Sequence, residues 1–189
     1  MSYPTSPAFN GINLQSDSPS LMSSAVNGRM QSRKIGGKKW AFTASYAPMT
    51  RAEFNPVFAF VVSQQGSHGV FTIVPTAISS TSGTASGTVS TSATAKGLAS
   101  VTVSGLTGAL KAGDVIKFSG HDKVYMLTAD RSGNGAMLIT PPLIEAVGTE
   151  TVTYDDVPFT VRLANDVQSY KLGAGMFFTY EVDLVEALS

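Results

Sequence analysis

Apolar and polar positions alternate with a period of two over much of this chain, the pattern of strands that bury one face. The clearest case is "KKWAFTASYAP", with Trp40, Phe42, Ala44 and Tyr46 on one side and Lys39, Ala41, Thr43 and Ser45 on the other. Near the far end, Phe178, Tyr180, Val182 and Leu184 alternate with Thr179, Glu181 and Asp183. A late strand this apolar requires a partner strand from the first half of the chain. Upstream, "LMSSAVNGRMQSRKI" sets Asn27-Gly28 between two strand patterns, a hairpin signal because both residues tolerate positive φ. Gly36-Gly37 predicts a second turn.

The period changes once. In "TRAEFNPVFAFVVSQQG", Phe54, Val57, Phe58 and Val61 recur at i, i+3, i+4 and i+7, so a helix lays one stripe on a sheet. Thr50 and Glu53 stand at capping-box spacing, and Gly66 is the expected C′ residue. Pro56 predicts a kink or a tightened first turn, because it lacks an N–H. A short strand, "GVFTIVP", follows.

From Ile78 to Gly97 the chain reads "ISSTSGTASGTVSTSATAKG", too polar for a core strand, and predicts a mobile loop or a loose edge hairpin rather than a free tether. Beyond it "LASVTVSGL", "AGDVIKFSG", "DKVYMLTAD" and "NGAMLITPPL" are short strands with tight turns, the pattern of a small barrel or curled meander. Pro75 and Pro141-Pro142 bracket this block as stiff points of entry and exit. The fold class is therefore mainly β: a β-sandwich or barrel with one packed helix and a small inserted β-barrel-like module. The expected organisation is an extended N-terminal arm over 1–20, a β-sandwich or barrel domain from 21–75 plus 150–189, and the inserted module over 76–149.

Composition adds that 43% of the 189 residues are apolar, enough for a core, while 14% are charged. The 13 basic and 13 acidic residues cancel, leaving little colloidal protection against self-association. Their placement is uneven. Arg29, Arg33, Lys34, Lys38, Lys39 and Arg51 occur without an acidic residue between Leu21 and Arg51. From Glu145 onward come Glu150, Asp155, Asp156, Asp166, Glu181, Asp183 and Glu186, against Arg162 and Lys171. Two readings stand: solvated faces, or a basic face of one copy meeting an acidic face of the next. On the second, the candidate inter-subunit contacts are Arg29, Arg33, Lys34, Lys38, Lys39, Asp155, Asp156, Glu181 and Asp183. The basic stretch lacks the aromatic interleaving of a nucleic-acid platform, so no specific nucleic-acid binding is expected.

The chemical inventory is thin. With no cysteine and two histidines, no zinc site is expected, and Asp155-Asp156 with Asp166 are poorly spaced for calcium. His121 reads as part of the turn Gly120-His121-Asp122, His68 as a loop residue, and Trp40 as core. No catalytic residue, cofactor or metal is expected, and the chain reads as a non-enzyme. The N-terminus has neither the basic nor the apolar region of a secretory signal, and no apolar run is long enough to span a bilayer, so the expected site of synthesis is the cytosol.

The run "KKWAFTASYAPMTRAEFNPVFAFVVSQQGSHGVFTIVP", with "LKAGDVIKFSGHDKVYMLTAD" and "ITPPLIEAV", resembles tail-tip and baseplate proteins of tailed bacteriophages, of the distal tail or tube-initiator kind. The resemblance implies a ring around the tail axis, usually of six copies, joining the tube to a hub or spike and anchoring peripheral baseplate proteins. It also implies a virion location after assembly in the host cytoplasm. A tail tube protein proper and a soluble sugar-binding β module are the alternatives.

Overall fold

The computed structural model describes residues 2–34 and 36–188, without the side chain of Lys34. In chain order the first strands are β1 (Gly11–Asp17), β2 (Ser20–Ser24), β3 (Met30–Lys34) and β4 (Lys39–Ser45), before helix α1 (Arg51–Ser63). Then come β5 (Phe71–Ile73), a short helix α2 (Thr76–Ser79), β6 (Val89–Thr91), β7 (Ser100–Ser104), β8 (Ala109–Leu110), β9 (Val115–Phe118) and β10 (Val124–Leu127). The last are β11 (Arg131–Ser132), β12 (Gly135–Thr140), β13 (Thr151–Thr153), β14 (Phe159–Leu163), β15 (Tyr170–Leu172) and β16 (Phe178–Glu186).

These elements form two compact units. The sheet unit comprises Pro4–Gly69 and Arg162–Glu186; the barrel unit comprises Val70–Val161 with residues 2–3 and 187–188. The breaks fall after Gly69 and Val161, where the sequence pattern sets them at 75 and 149. Strand pairing moves them: β5 pairs with β14, and β13 pairs with both β6 and β9.

In the sheet unit β4 is central. It pairs antiparallel with β1 on one side and β16 on the other, so the late apolar strand finds its partner in the first half of the chain. The predicted inner face of β4 is buried at Trp40, Phe42 and Ala44, opposite Val182 and Leu184 of β16. Helix α1 buries Phe54, Val57 and Val61. The Phe54 ring stacks on Phe178 with centroids 4.7 Å apart and meets Tyr170 at 4.9 Å. Glu53 accepts the Thr50 N–H at 2.8 Å, as the capping pattern requires. The helix runs unbroken past Pro56, whose missing N–H leaves one carbonyl, that of Ala52, without its i+4 donor. It ends one residue earlier than expected, with Gln65 in the left-handed region at φ 56°.

Within the predicted N-terminal arm, Gly11–Asp17 is a strand paired along its length with β4. Strands β2 and β3 form the predicted hairpin, with Gly28 at φ 78° in its turn. Gly36-Gly37 does not reverse the chain. Asp17 pairs with Lys39 and Ser20 with Lys34, so two residues on one arm face four on the other. The glycines sit in a bulge, and the β2–β3 hairpin continues the β1–β4 ribbon beyond it.

In the barrel unit six strands close in the order β10-β12-β7-β6-β13-β9. The interior holds Val89, Val101, Val103, Ile116, Phe118, Tyr125, Leu127, Met137, Ile139 and Val152, and β8–β11 forms a separate ribbon. The polar stretch 78–97 is neither mobile loop nor loose edge. Residues 84–88 run against 105–109, with reciprocal hydrogen bonds between Ser86 and Thr107, and Val89–Thr91 is a barrel strand with Val89 and Thr91 buried.

Candidate assembly surface

The β2–β3 hairpin is the feature that sets the sheet unit apart from a self-contained domain. Every described side chain from Ser20 to Arg33 is exposed, including Leu21 at 61%, Met22 at 67%, Met30 at 73% and Val26 at the tip. The period of two gives the ribbon two dissimilar faces. Leu21, Ser23, Gln31 and Arg33 share one; Met22, Ser32, Ser24 and Met30 share the other. An isolated two-stranded ribbon is marginal in water, and contiguous exposed apolar residues mark interaction surfaces.

The predicted basic contacts gather around this hairpin. Arg29 follows the turn, and its N–H donates to Asn27 Oδ1 at 3.1 Å. Arg33 projects from β3, and Lys34 ends that strand, its side chain lying outside the described part. Lys39 is exposed at the start of β4, and the ammonium of Lys38 lies 5.4 Å from the centre of the Trp40 ring, a cation–π position.

The acidic candidates do not gather in this way. Asp155 and Asp156 belong to the barrel unit, where they accept from the Thr81 N–H at 3.2 Å and the Ser80 hydroxyl at 3.1 Å. In the sheet unit Asp183 accepts from the Thr43 hydroxyl at 2.8 Å and from Asn165 at 3.3 Å. Asp166 accepts the N–H and hydroxyl of Ser67 at 2.9 and 2.6 Å, and those bonds hold its carboxyl below the usual carboxylate range. Glu186 is fully buried and accepts the Trp40 N–H at 3.1 Å. Sequence reasoning missed this, although Glu186 continues the parity of Val182 and Leu184. Glu181 is exposed.

A second exposed apolar surface lies on the same unit, around the β15–β16 hairpin. Val167, Tyr170, Leu172, Met176 and Phe177 are exposed there by 45–83%. Beside them a groove is lined by Tyr46, Tyr170, Lys171, Tyr180, Glu181 and Asp183. No periodic signal marks this surface, because residues 173–177 form a tip, with Gly173 donating to Phe177.

His121 sits in the β9–β10 turn but is 8% exposed, with Nε2 at 3.2 Å from Glu150 and Nδ1 at 3.9 Å from Glu145. His68 is exposed at the end of a short 3-10 turn, and Trp40 is core. Among the described residues no three His, Asp or Glu side chains are grouped to hold a metal, and no helix is long and apolar enough to cross a membrane.

Compared with known families, residues 64–157 match the model of the distal tail protein pb9, B domain. The match spans the barrel unit up to the turn before β14. No curated protein matches the chain.

Proposed function

We infer, from the premise that residues 64–157 belong to the B-domain family of a phage distal tail protein and the chain is a structural protein of a tailed-phage tail, that its sheet unit builds a ring. The ring is hexameric, joins the tail tube to the hub or spike, and anchors peripheral baseplate proteins. The barrel unit is a module carried on it. The location is the virion tail, reached after assembly in the host cytoplasm.

The observation that carries this reading is the β2–β3 hairpin, apolar and basic on a unit whose own core does not cover it. A ribbon of this kind is stabilised when a neighbour covers it, and a head-to-tail contact between copies closes into a ring when its rotation allows. Arg29, Arg33 and Lys39 bring a positive surface to that contact.

Native mass spectrometry and negative-stain microscopy of the full chain test it. The expected result is a closed ring of six copies whose formation weakens with added salt. Charge reversal at Arg33, Lys34, Lys38 and Lys39 raises the concentration needed for assembly while leaving the circular dichroism spectrum unchanged. A chain that stays monomeric at all concentrations, or open stacks of many rings as a tube protein forms, overturns the reading.

A further inference from the structure

We propose that the β2–β3 hairpin of one copy seats in the groove beside the β15–β16 hairpin of the next. The assignment rests on the ring reading above and names the two surfaces that meet. The hairpin exposes Leu21, Met22, Val26 and Met30, while the groove is lined by Tyr170 among mostly polar side chains, with exposed Leu172 next to Lys171 on the same strand. Their charges are complementary. The hairpin carries Arg29, Arg33 and Lys34 with no acidic residue. The groove sets Glu181 and Asp183 against the single Lys171.

The geometry makes the occupant a second copy. The hairpin leaves β4 at its Lys39 end, whereas Ser45 and Tyr46 line the groove at the other end. Six residue steps along a strand separate the two, about 20 Å. Donor and acceptor surfaces at opposite ends of one central strand give a heterologous contact that repeats from copy to copy, the kind that closes into a ring.

The chain has no cysteine, so an engineered pair reports one contact. Ser23→Cys and Ser169→Cys are both exposed positions, on the hairpin and at the groove rim. A mixture of the two single variants is expected to oxidise to a cross-linked pair, neither variant alone to do so, and the double variant to give a ladder ending at the closed ring. A charge exchange supplies the second measurement. Arg33→Glu and Glu181→Arg each raise the assembly midpoint by about tenfold or more, and the two together restore it in large part. Rings that form without the Ser23–Ser169 cross-link, or that cross-link Ser23 to Ser23, overturn this contact and leave the ring standing. Absence of any oligomer from the wild-type chain overturns both.

Discussion

Ser82 gives both its backbone N–H and its hydroxyl to one oxygen of Asp114, at 2.9 and 2.6 Å. The other oxygen accepts the Thr81 hydroxyl at 2.8 Å and the Lys111 N–H at 2.9 Å. One carboxylate thus ties the Ser/Thr/Gly stretch to the turn before β9. Replacing Asp114 by Ala strands those donors in a site where the side chain is 5% exposed. The expected cost is about 2 kcal/mol or more, read from chemical denaturation. A change within 0.5 kcal/mol shows that the stretch is held by other means.

The same carboxylate sets a pH dependence. Burial pushes the Asp114 carboxyl up, but the Ser82 hydroxyl, the Lys111 and Ser82 N–H groups and the Thr81 hydroxyl together outweigh it and hold it below its ordinary value. A folded value below the unfolded one means that the ionised form adds stability. That contribution is complete above about pH 4 and is lost as pH falls through the lowered folded value. The stability gap between wild type and Asp114→Asn is therefore expected to narrow on acidification. A gap that widens toward low pH contradicts the assignment.

Close backbone approach holds the same seam. A Cβ at Gly108 meets the Thr84 carbonyl oxygen at 2.2 Å, and φ there is 78°; at Gly113 φ is 98° with open space around it. Ala at Gly113 pays for the left-handed backbone alone, about 1 kcal/mol. Ala at Gly108 must also push two backbone segments apart, and is expected to cost at least about 1 kcal/mol more. Equal thermal shifts for the two variants show that the 84–88 segment yields freely.

How legible this fold was in the sequence depended on whether a residue's role was set by its own strand. The alternation through Trp40–Tyr46 and Phe178–Leu184 located both central strands because each buries one continuous face. The stretch 78–97 misled because its order comes from Asp114 and from the 105–109 backbone, which no local hydrophobic pattern records. Gly36-Gly37 has turn composition, and register alone distinguishes a bulge from a turn. The hairpin and its charges were legible. The groove was not, since Ser45, Ser169 and Glu181 come together through strand pairing.

Asp166 offers a local readout. It closes the 3-10 turn Gly66–His68 through the two bonds from Ser67. Asp166→Ala frees the Ser67 amide, so its hydrogen exchange is expected to accelerate at least about tenfold while amides in α1 keep their rates. Acceleration throughout α1 indicates that the turn and helix open as one unit.

Asp183 and Glu181 separate stability from assembly on a single strand. Asp183 is half-buried opposite Thr43 and accepts from two side chains, so Asp183→Ala leaves the Thr43 hydroxyl and the Asn165 amide without an acceptor. The expected loss is about 1–2 kcal/mol. Glu181 lies opposite Ser45, is exposed, and stands at the groove; its truncation is expected to move stability by less than about 0.5 kcal/mol while weakening oligomer formation. Thermal unfolding and sedentation-type sizing of the two variants side by side separate the roles. If Glu181→Ala unfolds earlier than Asp183→Ala, or assembles like wild type, then the exposed carboxylate is not the one that meets the hairpin's arginines.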